Sequence, residues 1–241
     1  MRVDVLFTPH ELADRGLSGR AVAVIDLLRA TSTIVEAVAN GARAVLPAAD
    51  MDDAMRLAQT LGRSEVILCG ERRSRKIEGF DLGNSPSEFT SAAVADKLVI
   101  MTTTNGTPAL LAGASADRCV VAAYLNLSAA VADLLATDKP IALLCAGRGG
   151  RFSLDDVICA GSIARALRQQ LGARVRMNDA ARAAIGLERR YHPHLNAVIS
   201  RTGAGRQLLE AGFADDIPMC LTRDRHDVVP VMVDRQVIRA V

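Results

Sequence analysis

What this sequence has little of narrows it first. It contains no tryptophan, two tyrosines and five phenylalanines in 241 residues, too few aromatic faces for the stacking platforms of single-strand nucleic-acid binders. Net charge is scarce as well: 29 basic against 27 acidic side chains leave +2, which builds no basic field of the kind nucleic acid needs. No nucleic-acid partner is expected. The longest apolar runs, such as 120–125 and 140–146, are of strand length and far short of the roughly 20 residues that span a bilayer, so no membrane partner is expected either. Asp4 interrupts the apolar stretch at the amino terminus, which reads as a first β-strand and not as a secretory signal. Five cysteines (Cys69, Cys119, Cys145, Cys159, Cys220) are odd in number and lack CxxC spacing. They signal neither a disulfide frame nor a zinc cluster, and reduced thiols in a cytoplasm are expected.

Several familiar motifs are missing too. No GxxxxGK[ST] loop and no GxSxG elbow is present, and Asp26-Leu27-Leu28 lacks the second aspartate of an aspartyl-phosphate phosphatase. The histidines do not form a zinc set, since His192-Pro193-His194 is broken by proline and His10 and His226 are remote in sequence. No fixed-period repeat or low-complexity segment occurs.

What is present is half apolar and 23% charged, enough for a full core built from Ala, Val, Leu and Ile. Short β-rich runs at 2–7, 21–26, 44–47, 66–69, 98–102, 119–122 and 141–145 alternate with helical patterns at 31–40, 51–61, 107–112, 128–136 and 155–171. That alternation predicts βα units, hence an α/β fold with a mainly parallel sheet covered on both faces. Asp50 and Asn126 are candidate helix caps, and Gly41 and Gly172 candidate helix stops. From about residue 172 the pattern turns Arg-rich and helical (177–190, 205–211), with one short strand near 228–233. No Pro/Gly/Ser-rich linker intervenes, so residues 1–241 are read as one domain carrying a helical C-terminal elaboration.

Open α/β sheets place ligands at the strand ends, and several strand ends here run into loops of hydroxyls, glycines, arginines and carboxylates. After the second strand come Asp26, Arg29 and the helix-opening hydroxyls Thr31, Ser32 and Thr33. A helix start with an adjacent guanidinium suits a phosphate or sulfonate. The fifth strand ends in Thr102-Thr103-Thr104-Asn105-Gly106-Thr107, where Gly106 permits close approach of a backbone to an anion. Glu71 and Arg72 follow the fourth strand, and Asn84 lies on the loop after them. Between strand and helix, Cys145-Ala146-Gly147-Arg148-Gly149-Gly150-Arg151 supports two readings. Cysteine followed six positions later by arginine is the layout of a thiolate phosphatase loop, although Leu144 stands where such enzymes carry histidine. In the other reading the glycines with Arg148 or Arg151 bind an anion, and Asp155 or Asp156 holds a metal; adjacent acids at a helix start also serve the dipole alone.

With these segments in view, the sequence resembles the 2-phosphosulfolactate phosphatase family. The match rests on Val24-Ile25-Asp26-Leu27-Leu28-Arg29-Ala30-Thr31-Ser32-Thr33, Glu78-Gly79-Phe80-Asp81-Leu82-Gly83-Asn84-Ser85-Pro86, Thr102 through Thr107, and Cys145-Ala146-Gly147 through Gly150-Arg151-Phe152-Ser153-Leu154-Asp155-Asp156. It covers residues 2–171 and continues more weakly through Asp227-Val228-Val229-Pro230. The resemblance implies a three-layer α/β/α fold and a magnesium-dependent acid phosphatase that converts 2-phospho-3-sulfolactate to 3-sulfolactate and phosphate, a step toward coenzyme M in methanogens.

Mg²⁺ takes oxygen ligands and keeps several waters, so one or two carboxylates among Asp26, Glu71, Asp155 and Asp156 would hold it. Asp26, Arg29, Glu71 and Arg151 are then the expected catalytic groups. Thr31, Ser32, Asn84, Thr104, Asn105, Gly106 and Arg148 are expected to bind a small phosphorylated or sulfonated acid. Two alternatives stand beside this: a thiolate phosphatase using Cys145, and a non-catalytic binder of such acids. The near-neutral charge and Ala-rich helices are compatible with a homodimer.

Overall fold

The computed structural model describes residues 1–240, giving the backbone alone at 13–15 and 173. In chain order the elements are β1 (Arg2–Leu6), β2 (Ala21–Ile25), α1 (Ala30–Ala39), β3 (Ala44–Pro47), α2 (Met51–Leu61), β4 (Val66–Arg72), β5 (Arg75–Lys76), α3 (Ser91–Val94), β6 (Leu98–Thr102), α4 (Gly106–Gly113) and β7 (Arg118–Val121). They continue with α5 (Leu127–Ala136), β8 (Ile141–Cys145), α6 (Leu154–Leu171), β9 (Arg176–Met177), α7 (Asp179–Tyr191), α8 (Leu195–Ile199), α9 (Gly203–Ala211), α10 (Asp216–Cys220), β10 (Pro230–Val233) and β11 (Gln236–Arg239).

Local chemistry explains the element ends. Asp50 caps α2, its carboxylate accepting from Asp53 N at 2.8 Å, and Asn178 and Thr202 cap α7 and α9 in the same way. Gly41 and Gly172 follow α1 and α6 with φ of 91° and 70°, a conformation that suits glycine. The cap expected from Asn126 is not made. Its side-chain oxygen accepts from Ala123 N, while its amide donates to Val121 O and Val228 O, tying the loop before α5 to the chain's last segment.

The strands form one sheet in the order β5-β4-β6-β3-β11-β10-β7-β2-β8-β1-β9. Within each half the main pairings are parallel, as in β2 with β7 and β8, or β6 with β3 and β4. Alternate residues sort to two faces. Val22, Val24, Ala142 and Leu144 from one half, with Val45, Val99 and Met101 from the other, pack against α1 and α4. On the opposite face Ala23, Ile25, Leu143 and Cys145 meet α5, α6 and α7, and Leu68 and Ile100 meet α2. This is a three-layer α/β/α fold with a largely parallel, mixed sheet.

The C-terminal β10–β11 hairpin lies in the middle of the sheet and joins its halves, through Val231 opposite Val120 and Val237 opposite Val45. All three joins from β3 to β7 are antiparallel, so β3, β6 and β4 run opposite along the ladder to β7, β2 and β8. Seven steps separate β4 from β8, and a twist of roughly 20–25° per step accumulates to about half a turn. That turn points the C-terminal ends of β4 and β6 the same way as those of β2 and β8.

Candidate active site

The loops meet in a cavity of about 520 Å³, a size suited to a small molecule. Asp26, Leu28 and Arg29 enter it from the end of β2, Glu71, Arg73 and Ser74 from the end of β4 and its turn, and Thr103, Thr104 and Asn105 from the end of β6. The β8–α6 loop supplies Gly147, Arg148, Gly149, Arg151 and Ser153, with Asp155 and Asp156 from the first turn of α6. Asn84 contributes one wall, and Ala204 and Gln207 on α9 close over the mouth.

Three helices, α1, α4 and α6, begin at this cavity. Their dipoles bias it toward negative charge. Gly106 sets how closely two of them approach: a Cβ there would lie 2.3 Å from Ala30 Cβ and 2.8 Å from Asp26 Oδ2. Only glycine lets the starts of α1 and α4 pack side by side against Asp26.

Against that positive bias stand buried carboxylates. Asp26 accepts from Ala30 N at 3.3 Å; burial first, then the charge of Asp155, push its carboxyl up to about 7. Asp155 accepts from Ser153 Oγ at 2.7 Å and is raised by burial as well. Asp156 is pushed well up by burial and by Asp155 and Asp26. Its two oxygens accept from Leu27 N (2.8 Å) and Gly147 N (3.0 Å), so it stitches the β2 and β8 loops together. Glu71 does the same for the other half, accepting from Ser74 N (2.8 Å) and Thr104 N (2.9 Å).

Arg29 is 3% exposed. Its Nη1 meets Asp216 Oδ2 at 2.6 Å, its Nη2 donates to Ser74 O at 3.0 Å, and its plane lies 4.5 Å from the centre of the Phe213 ring. Asp216 also accepts from Ser85 Oγ, so one carboxylate on α10 holds both the Arg29 loop and the segment that carries Asn84. The glycine-rich loop closes as a two-residue turn: Arg148 and Arg151 exchange backbone hydrogen bonds of 2.8 and 3.1 Å, with Gly149 and Gly150 at φ 57° and 73°. The turn sets two arginines side by side at the mouth. Gly149 N donates to Asn105 Oδ1 at 2.9 Å, and Arg148 Nη2 donates to Gln207 Oε1.

Ten of the residues singled out from sequence thus share one cavity: Asp26, Arg29, Glu71, Asn84, Thr104, Asn105, Arg148, Arg151, Asp155 and Asp156. Three others do not line it. Thr31 and Ser32 are fully buried, and their hydroxyls donate to Asp26 O (2.9 Å) and Leu27 O (2.8 Å); they fasten the helix start and hold no hydroxyl toward a ligand. Gly106 acts through the helix contact just described. The thiolate alternative is not favoured: Cys145 lies fully buried on the side of β8 facing α6. Burial, then the neighbouring Asp156, pushes its thiol well up, the reverse of what a nucleophile needs. Arg73, Ser74, Gln207, Phe213 and Asp216 were not read from sequence. Arg73 and Ser74 sit in what looks like an ordinary surface charge run, and the other three lie 59 to 187 residues from the loops they serve, with no local signature.

Among the described residues no three His, Cys, Asp or Glu side chains cage an ion by themselves. The donor set nonetheless suits a hard cation that keeps its waters. Asp26 and Asp155 each engage one oxygen in the hydrogen bonds above and leave the other free, and the mutual repulsion that raises the buried carboxylates is what a divalent ion relieves. Asn84 Oδ1, buried and without a hydrogen-bond partner, adds a neutral oxygen to the wall. Glu71 and Asp156, with both oxygens on backbone amides, have the weaker claim to a metal.

Fold and site together define an α/β/α protein with a cavity at its strand ends lined by buried carboxylates and by arginines. Residues 6–235 match the model of the 2-phosphosulpholactate phosphatase family. The chain is 40% identical over 223 residues to a protein of Caldanaerobacter subterraneus subsp. tengcongensis, covering 92% of each. It is 38% identical over 236 residues to one of Thermotoga petrophila, covering 96% of each, and 33% identical over 234 residues to one of Clostridium novyi, covering 95% of this chain and 96% of that one. All three carry the name "Probable 2-phosphosulfolactate phosphatase". The chain belongs to the 2-phosphosulfolactate phosphatase family.

Proposed function

We propose that this protein is a phosphoric monoester hydrolase that cleaves 2-phospho-3-sulfolactate to 3-sulfolactate and phosphate, with Mg²⁺ as its metal. The observation that carries the reading is the meeting of Asp26 and Asp155 at the floor of a cavity on which three helix N-termini converge. A phosphoryl group seated there lies against N–H donors and within reach of a carboxylate.

In this reading Asp155 would hold the cation, and the free oxygen of Asp26 is left for the attacking water. Mg²⁺, when bound, supplies Lewis-acid neutralisation of charge on the phosphoryl oxygens. Asp26 orients the attacking water and takes its proton as oxygen attacks phosphorus in line. The bond from phosphorus to the C2 oxygen breaks, and the proton returns to that oxygen. The exposed Arg148 and Arg151 face the charge that develops on the equatorial and leaving oxygens. Glu71 and Asp156 act by fixing the loops that carry these groups.

Phosphate release from 2-phospho-3-sulfolactate, measured with added Mg²⁺ and with excess EDTA, tests this. Turnover with Mg²⁺ that EDTA abolishes is expected. Turnover that survives EDTA overturns the metal, and tight binding without release overturns the hydrolase.

A further inference from the structure

The cavity carries four arginines, Arg29, Arg73, Arg148 and Arg151, and they differ in what already holds them. Arg29 is neutralised by Asp216, and Arg148 is turned toward the neutral amide of Gln207. No carboxylate among the described residues pairs with Arg73 or Arg151, and what sets Arg73 apart is the turn that carries it. Arg73 and Ser74 are the two residues of the β4–β5 turn, bracketed by Arg72 opposite Arg75, with φ of 54° and 65°. Both residues therefore occupy the left-handed region without being glycine, a conformation that must be held by its surroundings.

Three separate elements hold it. Ser74 N donates to Glu71 Oε2 at 2.8 Å, Ser74 O accepts from Arg29 Nη2 at 3.0 Å, and Ser74 Oγ accepts from Gln207 Nε2 at 2.9 Å. Every polar group of Ser74 is thereby tied to β4, to the start of α1 or to α9. The β10–β11 hairpin makes the same two-residue turn with Asp234 and Arg235, at φ 48° and 63°, and none of the side-chain hydrogen bonds among the described residues reaches it. Reversing the chain needs no such bracing, so the β4–β5 turn is built as part of the pocket wall. The side chain it presents there is Arg73.

We infer that Arg73 is a specificity-determining residue: it receives the second strong anion of the substrate, the sulfonate, at the cavity mouth while the phosphoryl group occupies the floor. This rests on the proposed hydrolysis of phosphosulfolactate and adds which group is read and by which residue. A sulfonate stays ionised at every physiological pH and offers three oxygens to a guanidinium fork. An unpaired arginine at a partly solvated mouth is the matching receptor.

The test compares the wild type with Arg73→Ala and Arg73→Lys on two substrates, 2-phospho-3-sulfolactate and 2-phospholactate, which keeps the carboxylate but lacks the sulfonate. The wild type is expected to prefer the sulfonated substrate in kcat/KM. Arg73→Ala should cut that preference roughly tenfold or more, mainly through KM, and Arg73→Lys should restore part of it. Calorimetric binding of 3-sulfolactate against lactate gives a readout independent of turnover, with the sulfonated ligand losing its advantage in Arg73→Ala. An unchanged preference in both assays, or an equal loss for both substrates such as a merely steering or structural arginine would give, overturns the proposal. Wild-type enzyme that binds 3-sulfolactate selectively through Arg73 but releases no phosphate overturns the hydrolase reading and leaves the assignment of Arg73 standing.

Discussion

Asp26 shows how much a single side chain is asked to hold. In the unfolded chain its carboxyl titrates at 3.8, and in the pocket burial and neighbouring carboxylates push it up to about 7. Between those values the folded state binds the proton more tightly, so the contribution of Asp26 to stability falls as pH rises from about 4 and is fully lost above about 7. Asp26→Asn removes that penalty. It is expected to raise Tm at pH 8, to raise it less at pH 5, and to abolish phosphate release at both; a Tm gain equal at the two pH values would contradict the buried-charge account. At this scale the sequence was informative where side chains cluster locally. Asp26, Asp155 and the loop arginines stand beside strand ends and helix starts, where ligands gather. It misled at Thr31 and Ser32, because a hydroxyl that fastens a helix start and one that faces a ligand share the same local pattern.

Pairs of elements carry the next set of constraints. The starts of α1 and α4 touch at Gly106 and Ala30; Gly106→Ala forces them apart by overpacking, at a cost of about 1–3 kcal/mol. Because the displaced neighbour includes Asp26, turnover should fall more than stability alone predicts, as read by kcat set against a urea denaturation curve. The α10-to-α1 contact works through charge. Asp216→Ala leaves the buried Arg29 guanidinium unpaired and releases Ser85, and a loss of about 3–5 kcal/mol is expected in the same denaturation assay; Asp216→Asn, which keeps acceptor and donor atoms, should lose less. A loss under 1 kcal/mol for Asp216→Ala would show that Arg29 finds solvent. The strands β1, β2, β3, β6, β7 and β8 were legible within a residue or two, since their apolar runs are short and punctuated, whereas β4 runs three residues past the expected 66–69 and the two-residue β5 was not read. Asp216 was not: nothing in its own neighbourhood marks an acid whose partner lies 187 residues away.

At the scale of the whole molecule, the β10–β11 hairpin is, among the described residues, the only link in the sheet ladder between two half-sheets. Sequence patterning indicated a strand near 228–233 and missed its partner β11, because the turn Asp234-Arg235 lacks the Asn-Gly signature of such hairpins and β11 is four residues long. Nor does periodicity say where in a sheet a strand goes; insertion at the centre is decided by long-range packing of Val231 and Val237. A chain truncated after residue 227 bares β3 and β7 as unpaired edges. It should be recovered in the insoluble fraction and bind no 3-sulfolactate, although every residue lining the cavity is still present. Soluble truncated protein with native circular dichroism would refute the central role of the hairpin.

That placement also bears on the order of synthesis. Both halves of the sheet are translated long before residues 230–239, and the cavity draws its walls from both. A nascent chain therefore holds two finished halves with open edges while it waits for the strands that bridge them. Activity arrives only once residues 230–239 have been made, and the chain before that point is the form that most needs protection from other chains.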